Sequence, residues 1–98
     1  MAITTKGNYG YSGEVSITVG SVTGSSSKTV TTTVPGYVGT SYVPVVTAPT
    51  LTDAGMGIVN AWFSSPSYTG TTLNIKIVNA STTATPASDP ITFKVVTL

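Results

Sequence analysis

Gly57-Ile58-Val59-Asn60-Ala61-Trp62-Phe63 and Leu73-Asn74-Ile75-Lys76-Ile77-Val78 decide how this chain folds. The two apolar-rich runs flank Ser64-Ser65-Pro66-Ser67-Tyr68-Thr69-Gly70-Thr71-Thr72, a polar connection containing Pro and Gly. That is the pattern of a β-hairpin with a long loop. In the first run, strict alternation puts Ile58 and Trp62 on one face, with Asn60 between them, and Val59, Ala61 and Phe63 on the other. Both faces are largely apolar. The strand is therefore expected to be central, covered by the body of the domain on one side and by a partner on the other, which makes Trp62 and Phe63 interface candidates. In the second run Leu73, Ile75 and Ile77 face inward, and Asn74 and Lys76 outward.

The same alternation recurs in both directions along the chain. Val15, Ile17 and Val19 share a face opposite Glu14, Ser16 and Thr18, the signature of a half-buried strand. Turn formers over residues 20–27 interrupt it. From Lys28 to Val34, Val30 and Val34 point inward and Thr29, Thr31 and Thr33 outward, while Thr32 falls on the inner face. Pro35-Gly36 ends that strand in a turn. The Thr40–Thr47 run contains Pro44, which cannot donate to a ladder, so it is expected at a sheet edge or a bulge. Residues 49–57 form a loop in which Gly55 and Gly57 allow positive φ and the Asp53 side chain bonds nearby backbone. At the end of the chain Ile91, Phe93 and Val95 face inward and Thr92 and Lys94 outward. No window carries the 3.6-residue apolar stripe of a helix.

About six or seven short strands with turn signals between them predict an all-β fold, a small antiparallel β-sandwich of Ig-like or jelly-roll-like type, or a small barrel. The sandwich is expected over residues 13–98. Residues 1–12, polar and rich in Gly and Tyr, read as an N-terminal arm. The arm is either a loosely ordered terminus or a docking element with Tyr9 and Tyr11 as anchors.

Composition narrows the function. The 98 residues make one domain, with 40% hydrophobic residues to build a core. Charged residues amount to only 7%, for a formal net charge of +1. Nucleic-acid binding needs clustered Lys and Arg, whereas here Lys6, Lys28, Lys76 and Lys94 are scattered and Arg is absent. A net charge so near zero does little to keep copies apart, which suits a protein docked to copies of itself or to another surface. There is no membrane-length apolar run and no signal-peptide pattern, so the chain is expected to be soluble and made in the cytoplasm. Asn79-Ala80-Ser81 fits the glycosylation pattern, and without a secretion signal it reads as a chance match.

His and Cys are absent. Nucleophile–histidine mechanisms and zinc sites built on imidazole or thiolate are thereby excluded. A carboxylate pair would have to come from Glu14, Asp53 and Asp89. One of these sits on the outward side of a strand and the other two in loops, where solvated turn residues are the expected reading. No acidic cluster offers a calcium cage, and no phosphate-binding glycine motif occurs. No catalytic residue, metal or cofactor is predicted. Trp62 reads as core before it reads as the floor of a sugar-binding platform. Tyr37, Tyr42 and Tyr68 lie near turns, as rim contacts or loop supports. Tyr42 joins Tyr9, Tyr11, Trp62 and Phe63 as an interface candidate.

The order of motifs from Lys28 onward resembles a known family. A Thr/Val strand ends in Val34-Pro35-Gly36, and Val43-Pro44-Val45-Val46 and Pro49-Thr50-Leu51 follow. Then come Gly55-Met56-Gly57-Ile58-Val59-Asn60-Ala61 and Leu73 to Asn79. The loop Thr85-Pro86-Ala87-Ser88-Asp89-Pro90 precedes a closing Ile91–Val96 strand. Over residues 28–97 this is similar to small β-sandwich modules of tailed-phage virion structural proteins. The Trp62-Phe63 pair departs from that pattern, in which a small or polar pair is expected, and a different contact surface is the expectation that follows from it. The resemblance implies a non-enzymatic capsid decoration (cement) protein on the outer surface of the virion. It would form a homotrimer and bind the major capsid protein, with no nucleic acid or membrane partner. A tail, neck or head-fibre module is the alternative within the class, and a carbohydrate-binding module the alternative outside it. On this reading, deletion of residues 1–12 leaves the fold intact and weakens attachment, checked by circular dichroism and cosedimentation with particles.

Overall fold

A computed structural model describes residues 2–4, 10–35, 37, 43–53, 55–83, 85–86 and 89–97. Among these the regular structure is entirely β: β1 (Ala2–Thr4), β2 (Gly10–Ile17), β3 (Ser21–Val22), β4 (Ser26–Pro35), β5 (Pro44–Thr47), β6 (Met56–Ser67), β7 (Gly70–Asn79), β8 (Thr85–Pro86) and β9 (Ile91–Thr97). All pairings are antiparallel. One sheet runs β1-β2-β9-β5, a second runs β4-β7-β6, and β3-β8 make a short third ladder. β2 lies against β4 and β5 against β6 across the two larger sheets. Two antiparallel sheets packed face to face make a small β-sandwich.

Alternation fills the space between the sheets. In the first sheet Val15 pairs with Phe93 and Ile17 with Ile91, while Val46 opposes Val95. In the second, Val30 pairs with Ile75, and Ala61 and Phe63 pair with Ile75 and Leu73. Leu73, Ile75, Ile77, Ile91, Phe93 and Val95 are fully buried in one apolar cluster. Glu14, Ser16, Thr18, Thr29, Thr31 and Thr33 stay exposed, as their register requires. Thr32 is half-buried on the inner face. Pro44 opens β5 at the edge of its sheet.

Several expectations are corrected. The connection between β6 and β7 is not a long loop. Ser67 pairs with Gly70, so Tyr68 and Thr69 alone make the turn, and the strands take in most of residues 64–72. Gly70 has φ 145, and a side chain there would run into the Val34 carbonyl oxygen on β4, so only glycine fits. The central strand of the second sheet is β7, and β6 is an edge. Gly55 takes positive φ but Gly57 does not; Gly57 is simply the second residue of β6. Residues 2–4 do not hang free: Ala2, Ile3 and Thr4 pair with Ser12, Tyr11 and Gly10. The boundary expected after residue 12 therefore falls inside β2, and deletion of residues 1–12 would also remove the Ser12–Val96 pair.

Removing the middle of the buried row should be costly. Leu73→Ala is expected to lose about 2–5 kcal/mol of unfolding free energy through lost burial and the cavity left behind. Thr31→Ala, on the wet face of β4, should stay within about 0.5 kcal/mol. Denaturant unfolding of both variants checks this.

Candidate interaction surface

The interface candidates of β6 are placed by one irregularity. Ile58 pairs with Ile77 and Asn60 with Lys76, so Val59 is an extra residue in the strand, a β-bulge. The bulge puts Val59 and Asn60 both on the outer face and reverses the alternation beyond them. Ile58, Ala61 and Phe63 then share the inner face, and Asn60, Trp62 and Ser64 the outer one. The expected Ile58–Trp62 face is thereby broken. Phe63 is a core residue, 9% exposed, with its ring 4.9 Å from that of buried Tyr37. Trp62 lies outside the core cluster and is 39% exposed. Phe63 is not an interface residue of the sandwich surface, because the core itself consumes its side chain. Of the other candidates, Tyr9 and Tyr42 lie outside the described residues, and Tyr11 is described by its backbone alone, opposite Ile3.

The surroundings of Trp62 are polar and orderly. Asn74, opposite it on β7, donates from Nδ2 to the Trp62 carbonyl oxygen at 3.2 Å and to Ser64 Oγ at 3.0 Å. Asn60 Oδ1 accepts the Ala61 N–H at 2.9 Å. Beside Val59, which is 57% exposed, lies an open hollow of about 570 Å³ lined by Ser25, Ser26, Ser27, Lys76 and Val78 among others. A second exposed apolar group, Val45 paired with Val96, occupies the outer face of the other sheet. Tyr68 projects fully from the hairpin turn.

The ionisable and sequon residues have structural work. Asp89 is more than a solvated turn residue: its Oδ1 accepts the Val19 N–H at 2.7 Å and its Oδ2 the Gly20 N–H at 2.8 Å. Lys28 Nζ donates to the Val19 carbonyl oxygen, so the end of β2's run is held from two sides. Glu14 stands opposite Lys94 in the register of β2 and β9, where opposite charges suit each other. Among the described residues no three His, Cys, Asp or Glu side chains gather. Asn79 is wholly buried. Its Nδ2 donates to the carbonyl oxygens of Val22 at 2.9 Å and Thr83 at 3.0 Å, and its Oδ1 accepts from Ser81 N and Oγ. The side chain that a glycan would need is thus spent inside the fold. Nothing in the local sequence signals this hub, because Val22 lies 57 residues away and reaches Asn79 only through the fold.

No protein-family model matches the chain, and neither the curated proteins nor the solved structures contain a match.

The two neighbouring aromatics should respond very differently to truncation. Phe63→Ala is expected to cost about 3–5 kcal/mol, as for a buried aromatic. Trp62→Ala should cost under about 2 kcal/mol, since much of its ring is already wet. Paired thermal or denaturant melts measure the contrast.

Proposed function

We propose that this protein is a non-enzymatic structural subunit that works by surface docking, a decoration protein on the outside of a phage capsid that steadies adjacent capsomers. The observation that carries the reading is Trp62. The core is closed without it, Phe63 having taken the inward place, yet the largest side chain in the chain is held at the surface of an edge strand beside exposed Val59. A monomer gains little from an exposed Trp, whereas Trp is the residue most enriched at binding hot spots. The Thr-rich face around it carries little charge, so attachment would depend weakly on salt. The major capsid protein is the proposed partner, with copies of this chain as the second. Multiple copies on a symmetric shell would turn a weak contact into firm attachment.

A carbohydrate-binding role is the second reading, and the same side chain favours it. An exposed indole on a sheet face with Asn60, Asn74 and Ser64 around it is the arrangement that would stack on a sugar ring.

Quantifying the protein in purified particles tests the first reading. A copy number matching the capsomers supports decoration, and a copy number of a few per particle points to a tail, neck or fibre component. Trp62→Ala, folded by circular dichroism, should weaken particle binding by roughly 30-fold, the equivalent of a 2 kcal/mol hot spot. Specific glycan-array binding that disappears in the same variant would move the assignment to the carbohydrate class.

A further inference from the structure

We infer that the edge of β6 that no described strand covers is a two-fold contact, through which a second copy of this chain adds its own β6 in antiparallel register and joins two β4-β7-β6 sheets into one. This goes beyond the docking role above, does not rest on it, and puts a dimer where the family resemblance implies a homotrimer.

The four edges of the two larger sheets are not equivalent. β1 has three residues, and β5 has four and begins with Pro44. β4 carries Lys28 and ends in Pro35. Short length, Lys and Pro are the usual protections of an exposed edge. β6 is twelve residues long and contains no ionisable side chain. Its own protections are the bulge at Val59 and the irregularity between Ser64 and Ser67 that includes Pro66. Between them Asn60, Ala61, Trp62, Phe63 and Ser64 pair residue for residue with Lys76, Ile75, Asn74, Leu73 and Thr72. Among the described residues no strand occupies the other side of this segment.

Backbone direction fixes the register. The Ala61 N–H is bonded to the side chain of Asn60 rather than to β7. In an antiparallel strand the N–H and C=O of one residue point the same way, and successive residues alternate. Ala61 and Phe63 therefore offer their backbone groups to the open edge, and Trp62 offers its own to β7. A two-fold axis through Trp62 then sets Ala61 opposite Phe63 of the second copy, and Phe63 opposite its Ala61, each as a hydrogen-bonded pair. Trp62 meets its own copy as a non-hydrogen-bonded pair, the position where side chains come closest. Asn60 faces Ser64. On the inner side a small residue meets a large one. A two-fold contact sets residues near the axis against themselves, so an uncharged segment is what it requires. The Asn60 amide must release the Ala61 N–H, exchanging one hydrogen bond for another.

Sedimentation equilibrium of the full chain tests the contact. A dimer is expected, weakened at least tenfold by Trp62→Lys, which sets two ammonium groups face to face at the axis. Because the chain has no cysteine, Trp62→Cys should oxidise to a covalent dimer. Cα atoms about 4.5 Å apart in a non-hydrogen-bonded pair lie within disulfide reach. Thr31→Cys, on the same face but two strands in, should not. A monomeric or trimeric wild type overturns the inference. So does a dimer that Trp62→Lys leaves intact, or one that Trp62→Cys fails to cross-link. The Cys variant keeps the test decisive if the Lys variant does not fold.

Discussion

Everything in this molecule leans on the row Leu73, Ile75 and Ile77 of β7 packed toward Ile91, Phe93 and Val95 of β9. All six side chains are removed from water. They sit on interior strands of their respective sheets; Leu73, Ile75, Ile77 and Val95 are paired on both sides, and Ile91 and Phe93 with β2. A chain of this size has no reserve core elsewhere. The flanking strands supply smaller contributions, Val30 and Val34 from β4, Ile17 from β2 and Phe63 from β6, and are positioned by their pairing to this row.

Polar groups close the ends of the sandwich where apolar side chains run out. Asn79 satisfies two carbonyl groups of separate segments and takes two donors from Ser81. Asp89 gathers two successive backbone N–H groups of residues 19 and 20. Thr71, fully buried, donates from Oγ1 to the Tyr37 carbonyl oxygen at 2.8 Å. Each ties backbone groups of a neighbouring segment to a side chain, and where such a group is buried, losing its partner costs roughly 1–3 kcal/mol. Such clamps also use up part of the little chemistry the chain contains. Asp89 is one of three carboxylates, and it is committed to holding a loop.

What remains free is shape and surface. The extra residue at Val59 is the pivot, because a one-residue slip in a strand exchanges the faces of everything beyond it. With the bulge, Phe63 enters the core and Trp62 leaves it. The same bulge leaves a short uncharged stretch of edge between two irregularities. The functional reading and the proposed two-fold contact both grow from that local feature, one from the side chain that was turned out and the other from the backbone edge that no described strand pairs.

Period-two alternation by itself determined the all-β class and the inward faces of β2, β4, β7 and β9, since side-chain direction in a strand follows from local geometry and burial from hydrophobicity. Pro44 likewise marked an edge through its missing N–H. Only the tertiary structure decided which strand is central, how short the β6–β7 turn is, and which of Trp62 and Phe63 faces water. A bulge and a strand order arise from pairing between distant segments, and no residue within residues 57–63 announces them. The roles of Asn79 and Asp89 were hidden for a related reason: each bonds a distant segment, Asn79 to Val22, 57 residues away, and Asp89 to Val19, 70 residues away.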